Sequence, residues 1–125
     1  MSMTKEQLTP GPDHPITIEP TSRQVTIAAG DEVIARSDNA LTLREASYPP
    51  IQYVPIDDVD RSALRRTDHE TYCPYKGDAS YFTLTTPDGD LDNVIWTYEQ
   101  PYDAVAEIKD HVAFYGNRVE ITVGD

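Results

Sequence analysis

The densest group of reactive side chains lies in a seven-residue segment that reads Thr-Tyr-Cys-Pro-Tyr-Lys-Gly and spans residues 71–77. Its cysteine, Cys73, is the only one in the chain, and Lys76 follows three residues later. A nearby ammonium favours the thiolate form of a cysteine, which is the nucleophilic form. The segment therefore indicates a candidate nucleophile at Cys73, with His69 as a candidate base. The alternative is that Cys73 is a small buried hydrophobic residue, as most free cysteines are.

Charged groups in and near this segment suggest a second kind of chemistry, the binding of an anion. Lys76 and the backbone N–H of Gly77 could together hold an anionic ligand, although a lysine before a glycine is also typical of a solvated turn. Asp58 is a second candidate for catalytic reactivity. It belongs to a cluster of aspartates just before Arg61, where a carboxylate can equally well cap a short helix.

Aromatic residues are the third candidate feature, since the chain holds eight tyrosines and one tryptophan. Such rings could line a concave pocket with hydroxyl groups at its rim, or could simply pack in the core. For Trp96 the core is favoured, whereas Tyr81 and Tyr98 fit either place, because a buried phenol needs a hydrogen-bond partner. The pocket would be formed by Tyr53, Tyr75, Tyr81, Trp96 and Tyr98.

Short β-strands must position these residues. Apolar residues alternate with polar ones over residues 16–19 and 24–27, as they do in half-buried strands. Turn-forming pairs at Gly30-Asp31 and Asp38-Asn39 precede two further apolar stretches. The first half of the chain therefore predicts a meander of short antiparallel strands joined by tight turns.

Two hairpins are predicted in the second half. The stretch over residues 81–99 has a Pro-Asp-Gly-Asp turn in its middle and predicts a hairpin. Side chains alternate between the two faces of a sheet along each strand, and this alternation places Tyr81, Trp96 and Tyr98 on one face. A Gly-Asn pair in the middle of residues 112–123 predicts a second, C-terminal hairpin.

Helical signals are few and short. Residues 61–65 follow the cluster of aspartates and predict one short helix. Asp103 predicts the cap of another, in which Val105 and Ile108 face inward. The fold class predicted from these elements is mainly β, a compact antiparallel β-sheet domain with one or two short helices.

The overall composition limits the partners. The chain of 125 residues carries 22 acidic and 10 basic residues, which gives a formal net charge of −12. Such a charge repels phosphate backbones and anionic lipid surfaces, so neither a nucleic acid nor a membrane is predicted as a partner. A well-solvated surface or adaptation to high salt would explain the same acidity. The oligomeric state is not indicated.

The N-terminal residues and the lone cysteine suggest the domain organisation and the cellular location. Residues 1–13 contain two prolines, a glycine and little apolar periodicity, which predicts a flexible N-terminal leader before a single domain over residues 14–125. The N-terminal region also lacks the apolar run of a signal peptide or a membrane span. A lone cysteine fits a reducing compartment, so a cytoplasmic location is predicted.

Several familiar sites are missing from the sequence. His14, His69 and His111 are scattered, and no Cys-x-x-Cys or His-x-His pattern is present, so no metal site is predicted. The glycine-rich loops that bind nucleotides and the Gly-x-Ser-x-Gly elbow of hydrolases are also absent, and no cofactor is predicted.

The motifs of this chain resemble a family of domains of unknown function, number 427, which also has a nucleotidyltransferase-like label. The resemblance runs from about residue 14 to the end, and its motifs are residues 53–59, 71–77, 79–81, 96–98 with Pro101, and 112–115. It implies a β-tent-like fold, similar to methionine sulfoxide reductase B and the ligand-binding domain of cereblon.

The resemblance locates a site but supplies no activity. The relatives with the tent fold carry paired Cys-x-x-Cys zinc sites, which this chain lacks, so no zinc is carried over. The glycine-serine and paired-aspartate pattern of nucleotidyltransferases is absent as well. The resemblance implies that the site residues are Tyr53, Asp58, Cys73, Tyr75, Lys76, Gly77, Tyr81, Trp96 and Tyr98.

Two functions are therefore predicted as alternatives. The first is a pocket for a small anionic ligand around the Cys-Pro-Tyr-Lys-Gly segment, in which Lys76 meets the anion and Cys73 or Asp58 supplies any reactivity. The second is a non-catalytic protein-interaction module, in which exposed strand edges and tyrosines dock a partner. The sequence does not decide whether the protein is an enzyme.

Overall fold

Antiparallel β-sheet dominates the computed structural model, which describes residues 6–124. Strand makes up 57% of the structure and helix 10%, so the prediction of a mainly β fold is confirmed. Within the described residues, seven strands form a large sheet, in the spatial order β1 (Ile16–Pro20), β4 (Leu41–Glu45), β5 (Ile51–Pro55), β9 (His111–Phe114), β8 (Gly89–Thr97), β7 (Gly77–Thr86) and β6 (Leu64–Cys73). A small sheet has the order β10 (Glu120–Gly124), β2 (Gln24–Ala29) and β3 (Glu32–Ser37).

The helices of the described residues are short and of the 3₁₀ type, namely η1 (Ile56–Asp58), η2 (Arg61–Ala63) and η3 (Asp103–Ile108). The Asp60 side chain accepts a hydrogen bond from the Ser62 N–H and caps η2, in line with the sequence pattern. The helix predicted over residues 61–65 ends at Ala63, because Leu64 and Arg65 pair with β7 as the start of β6. In η3, Val105 and Ile108 are buried, as the sequence predicts.

The predicted cap of η3 was wrong. Tyr102, not Asp103, stands at the capping position, and no side chain caps the helix. The Tyr102 N–H donates to the Lys76 carbonyl at 3.0 Å while Tyr102 is extended, and the helix begins at Asp103, one residue earlier than a cap at Asp103 would give. Asp103 instead lies in the first turn, where its charge still complements the helix N-terminus.

The hairpin of β7 and β8 is confirmed. Thr86 pairs with Gly89, so the turn itself contains only Pro87 and Asp88. Tyr81 pairs directly with Trp96, which places both side chains on one face of the sheet.

The predicted meander is only partly present. Strands β2 and β3 form a hairpin, since Ala29 pairs with Glu32 across the Gly30-Asp31 turn. Strands β1 and β4 do not join this hairpin but pair with each other in the large sheet. The chain therefore moves from one sheet to the other and back within its first 45 residues. Alternating apolar patterns mark strands but carry no information on which sheet each strand joins.

The predicted C-terminal hairpin was wrong. Strand β9 is flanked by β5 and β8 and has no free edge, so β10 pairs with β2 in the small sheet instead. The N–H groups of Arg118 and Val119 both donate to the Tyr115 carbonyl, and this turn leads the chain out of the large sheet. Ile121 then lies opposite Ile27 rather than opposite a residue of β9.

The large sheet is covered on both faces by separate apolar clusters. Neighbouring residues of its central strands alternate between them: Val54 and Phe114 belong to one cluster, whereas Tyr53 and Ala113 belong to the other. The first cluster packs against the small sheet through Val25 and Ile27, and the second packs against η3 through Val105 and Ile108. Because η3 is short, it covers only part of this second face.

The N-terminal segment lies against the domain where the structure describes it. The Leu8 N–H donates to the Pro74 carbonyl at 2.9 Å, and Gly11 forms a β-bridge with His14. Residues 1–5 of the predicted leader lie outside the described residues, and the boundary at residue 14 stays a prediction. No helix among residues 6–124 is long and apolar enough to cross a membrane. The tent-like arrangement also stays a prediction.

Candidate functional site

An aromatic cleft of about 370 Å³ opens on the part of the large sheet that η3 leaves uncovered. Strands β4 and β5 form one side of it, and β7 and β8 form the other. Apolar and aromatic side chains supply most of its wall, and one ion pair supplies the charged groups. The lining residues are Leu43, Glu45, Tyr48, Pro49, Ile51, Tyr53, Lys76, Tyr81, Trp96, Tyr98 and Tyr115.

The ion pair joins Glu45 at the end of β4 to Lys76 in the turn between β6 and β7. The Lys76 N–H donates to the Cys73 carbonyl at 3.1 Å, which closes this turn. Only 9% of the Lys76 side chain and 14% of the Glu45 side chain are exposed. The second carboxylate oxygen of Glu45 lies 2.7 Å from Nε2 of His14.

Glu45 is held in its charged form. Burial alone would favour the neutral acid, but the hydrogen bonds from Lys76 and His14 outweigh it and hold the pKa of Glu45 below its usual range. The carboxylate therefore neutralises Lys76 within the cleft. This partnership limits what Lys76 can offer to an anion, because any anion would compete with Glu45.

Hydrogen bonds fix most of the aromatic walls. The Trp96 indole N–H donates to the Tyr53 hydroxyl at 3.3 Å, and the Tyr81 and Thr71 hydroxyls share a hydrogen bond of 2.9 Å. The rings of Trp96 and Tyr115 pack with centroids 4.6 Å apart. Rigid rings lose little conformational freedom when a ligand binds, so these walls are suited to a flat guest.

The Tyr98 hydroxyl is an exception among these groups. Tyr98 is only 7% exposed, yet within residues 6–124 its hydroxyl forms no hydrogen bond. No completely buried side-chain oxygen of the described residues lacks a partner, so this hydroxyl must reach solvent. Tyr98 is also one of the residues that line the cleft. Burial raises the pKa of Tyr98 far above its usual range, so the group stays protonated and can donate.

Five of the nine predicted site residues meet in the cleft. They are Tyr53, Lys76, Tyr81, Trp96 and Tyr98. Trp96 therefore lines the cleft rather than serving only the core, and its indole contacts the second apolar cluster as well. The lysine and the aromatic hairpin are thus close together, although the other four predicted residues lie elsewhere.

Cys73 and Asp58 lie outside the lining of the cleft. Cys73 is partly buried against the second apolar cluster, and Nζ of Lys76 donates to its sulfur at 3.6 Å. Asp58 accepts a hydrogen bond of 2.6 Å from the Ser37 hydroxyl of β3, where η1 meets the small sheet. The structure therefore brings the thiol, but not Asp58, next to the ion pair.

Tyr75 and Gly77 also lie outside the lining. The Tyr75 ring stacks on the His14 ring, with centroids 4.0 Å apart and an angle of 5° between the planes. Gly77 has a φ of +114°, and a Cβ atom there would lie 3.3 Å from the Gln100 carbonyl oxygen. Both positions support the turn that carries Lys76.

Replacing Gly77 by alanine tests this structural role. We expect Gly77→Ala to destabilise the fold by about 2 kcal/mol, from its positive φ and from crowding against Gln100. Gly89→Ala is the matched control, because Gly89 also has a positive φ of 125° but has no atom within 4 Å of the added carbon. Urea denaturation should show a loss about 1 kcal/mol smaller for Gly89→Ala. Equal losses would contradict the role of the Gln100 contact.

Sequence reasoning missed several residues of the cleft. Glu45 and Tyr48 lie about thirty residues before Lys76, and their stretch carries no recognisable motif. Tyr115 was assigned to the C-terminal hairpin, whose wrong pairing hid its place beside Trp96. A lysine directed into an aromatic pocket does call for a carboxylate partner, but 22 acidic residues were available to supply it.

Fold and cleft together define a small mainly β domain with a partly open, aromatic-lined cleft that contains a buried ion pair. The family model described as "Domain of unknown function (DUF427)" matches residues 17–125. The chain therefore belongs to this family, as its motifs indicate. No curated protein matches the chain.

Proposed function

We propose that this protein binds a small organic molecule in the aromatic cleft. The observation that carries the proposal is Tyr98, a nearly buried residue of the cleft wall whose hydroxyl stays protonated and has no hydrogen-bond partner among the described residues. A hydroxyl that solvent reaches and that has no protein partner can give its hydrogen bond to a ligand in place of water. A hydrogen-bond acceptor of the ligand would meet this hydroxyl.

The shape and lining of the cleft support the same proposal. A volume of about 370 Å³ lies at the small end of the range for ligand pockets. Mostly apolar walls with a few converging polar groups are the usual composition of such sites. The ligand would place its flat body between the rings and its polar end toward Tyr98 and Lys76.

Trp96 provides a direct measurement, since it is the one tryptophan of the chain and lines the cleft. We expect saturable changes in Trp96 fluorescence when the protein is titrated with benzamide. Tyr98→Phe should weaken this binding by about fivefold, the value of one hydrogen bond, without unfolding the protein. Tyr75→Phe is the control and should bind like the wild type, because Tyr75 lies outside the cleft.

The proposal also predicts where binding is seen. In two-dimensional NMR spectra, the amides around Trp96 and Tyr98 should shift with the same dissociation constant as the fluorescence. If benzamide, benzoate and benzylamine all leave both signals unchanged in the wild type, the cleft does not bind small aromatic molecules and the proposal is wrong.

A further inference from the structure

We infer that the cleft selects an uncharged, planar carbonyl compound, such as an aromatic amide or ketone, over carboxylates and amines of the same shape. The inference rests on the proposed function and adds the chemical class of the ligand. It differs from the anionic ligand predicted from the sequence. The reason lies in the ion pair and in the two phenols beside it.

The ion pair is already complete. Glu45 accepts a hydrogen bond from Lys76 with one carboxylate oxygen and contacts His14 with the other. Lys76 in turn donates to Glu45 and to the Cys73 sulfur. The charges of Lys76 and Glu45 cancel, and both side chains are largely removed from solvent.

A charged ligand gains little in this environment. An anion that approaches Lys76 also approaches the Glu45 carboxylate and must lose its own hydration, while a cation meets the opposite repulsion from Lys76. The net charge of −12 adds a further general repulsion of anions. The charge of a bound anion or cation would therefore have no free counter-charge in the cleft.

Two phenols make the cleft rich in hydrogen-bond donors. The Tyr98 hydroxyl has no partner among the described residues. The Tyr53 oxygen accepts from the Trp96 indole, which leaves the Tyr53 hydroxyl hydrogen available. Burial raises the pKa of Tyr53 and of Tyr98 above the usual range, and the nearby Tyr53 adds to the effect on Tyr98, so both keep their protons. A neutral carbonyl oxygen accepts from both groups without introducing a charge.

The aromatic walls set the shape of the ligand. Rings from β5, β7 and β8 line the cleft, and the tilted packing of Tyr115 on Trp96 continues this surface at its rim. A flat body can stack or lie edge-on against such rings. The small volume fits a single ring with one polar substituent better than a longer chain.

Three matched compounds test the selectivity. Benzamide, benzoate and benzylamine share one ring and differ in the charge of the substituent. In Trp96 fluorescence titrations at neutral pH, we expect wild-type protein to bind benzamide about tenfold more tightly than either charged compound. The benzamide affinity should also change little between low and high salt, because no ion pair with the ligand is formed.

Glu45→Gln is the decisive variant, because it releases Lys76 from its carboxylate partner. In this variant benzoate should gain about tenfold in affinity and equal or exceed benzamide. Lys76→Gln, in which Glu45 loses its lysine partner, should favour benzylamine instead. Circular dichroism must show that each variant is folded. The two variants are expected to change the ligand preference in opposite directions, so either one alone still tests the inference if the other does not fold.

The outcomes separate this inference from the proposed function. Binding of benzoate or benzylamine as tight as that of benzamide in the wild type would overturn the selectivity while leaving the cleft a ligand site. An unchanged preference in both Glu45→Gln and Lys76→Gln would also overturn it. A complete absence of binding by all three compounds would overturn the proposed function itself.

Discussion

Replacing Lys76 by methionine should destabilise the protein by about 3 kcal/mol, although the apolar stem of the side chain is kept. The loss arises because Glu45 remains in the cleft with 14% of its side chain exposed and without its main counterion. Removing one member of a buried pair leaves an uncompensated charge, although the contact of Glu45 with His14 remains. Urea denaturation at neutral pH measures the difference.

Arg65→Met is the matched control for the loss of one positive charge. Arg65 pairs with Asp90 at 3.1 Å, but their side chains are 60% and 43% exposed. Such surface pairs contribute about 0–1 kcal/mol, so this variant should remain close to the wild type. A loss for Lys76→Met no larger than that for Arg65→Met would show that the pair in the cleft is not effectively buried.

The pH dependence gives a second check on the same pair. In the wild type the pKa of Glu45 is lowered by folding, so its stabilisation is present above the ordinary glutamate range and is lost as pH falls through the folded-state value. In Lys76→Met, acid instead neutralises the isolated carboxylate. The difference between the two proteins should therefore shrink as pH is lowered. The double variant Glu45→Gln with Lys76→Met should recover most of the lost stability at neutral pH.

The sequence identified the aromatic part of the candidate site but not its ion pair. Tyr81, Trp96 and Tyr98 follow from one hairpin, because strand parity and a short turn determine which side chains share a face. The pairing of Lys76 with Glu45 depends on the approach of β4 to the turn after β6. That approach is set by the order of strands in the sheet, and no local pattern encodes it.

The same difference between local patterns and the order of strands explains which parts of the fold were predicted wrongly. Most strand positions and the two hairpins β2–β3 and β7–β8 depend on neighbouring residues and were predictable, whereas β6 was not predicted as a strand. The partner of β10 depends on whether β9 has a free edge, and that edge is occupied by β5, a strand nearly sixty residues earlier. Local turn chemistry at Gly116-Asn117 therefore favoured a hairpin that the complete sheet does not allow.

Leucines on the two faces of the large sheet should respond differently to truncation. Leu84 is 0% exposed and Leu43 is 1% exposed, so simple burial predicts the same effect for both. Leu84 lies in the cluster between the two sheets, whereas Leu43 lines the cleft. We expect Leu84→Ala to destabilise the protein by about 4 kcal/mol and Leu43→Ala by about 1–2 kcal/mol less.

The difference comes from the space that each substitution leaves. Truncation of Leu84 creates a closed apolar cavity, and the energy of such a cavity adds to the loss of the transferred methyl groups. Truncation of Leu43 widens a cleft that solvent already enters, so most of the cavity contribution is absent. Urea denaturation of both variants, with benzamide binding followed through Trp96, measures the two consequences together.

Benzamide binding should be impaired more in Leu43→Ala than in Leu84→Ala, which is the opposite of the expected order of destabilisation. Leu84→Ala leaves the lining of the cleft intact and should bind benzamide like the wild type as long as it is folded. Leu43→Ala removes part of the wall and should bind it several-fold more weakly, since about 1 kcal/mol of apolar contact is lost. Equal destabilisation by the two substitutions would mean that the cleft is closed in solution, and the open space on which ligand binding depends would then not exist.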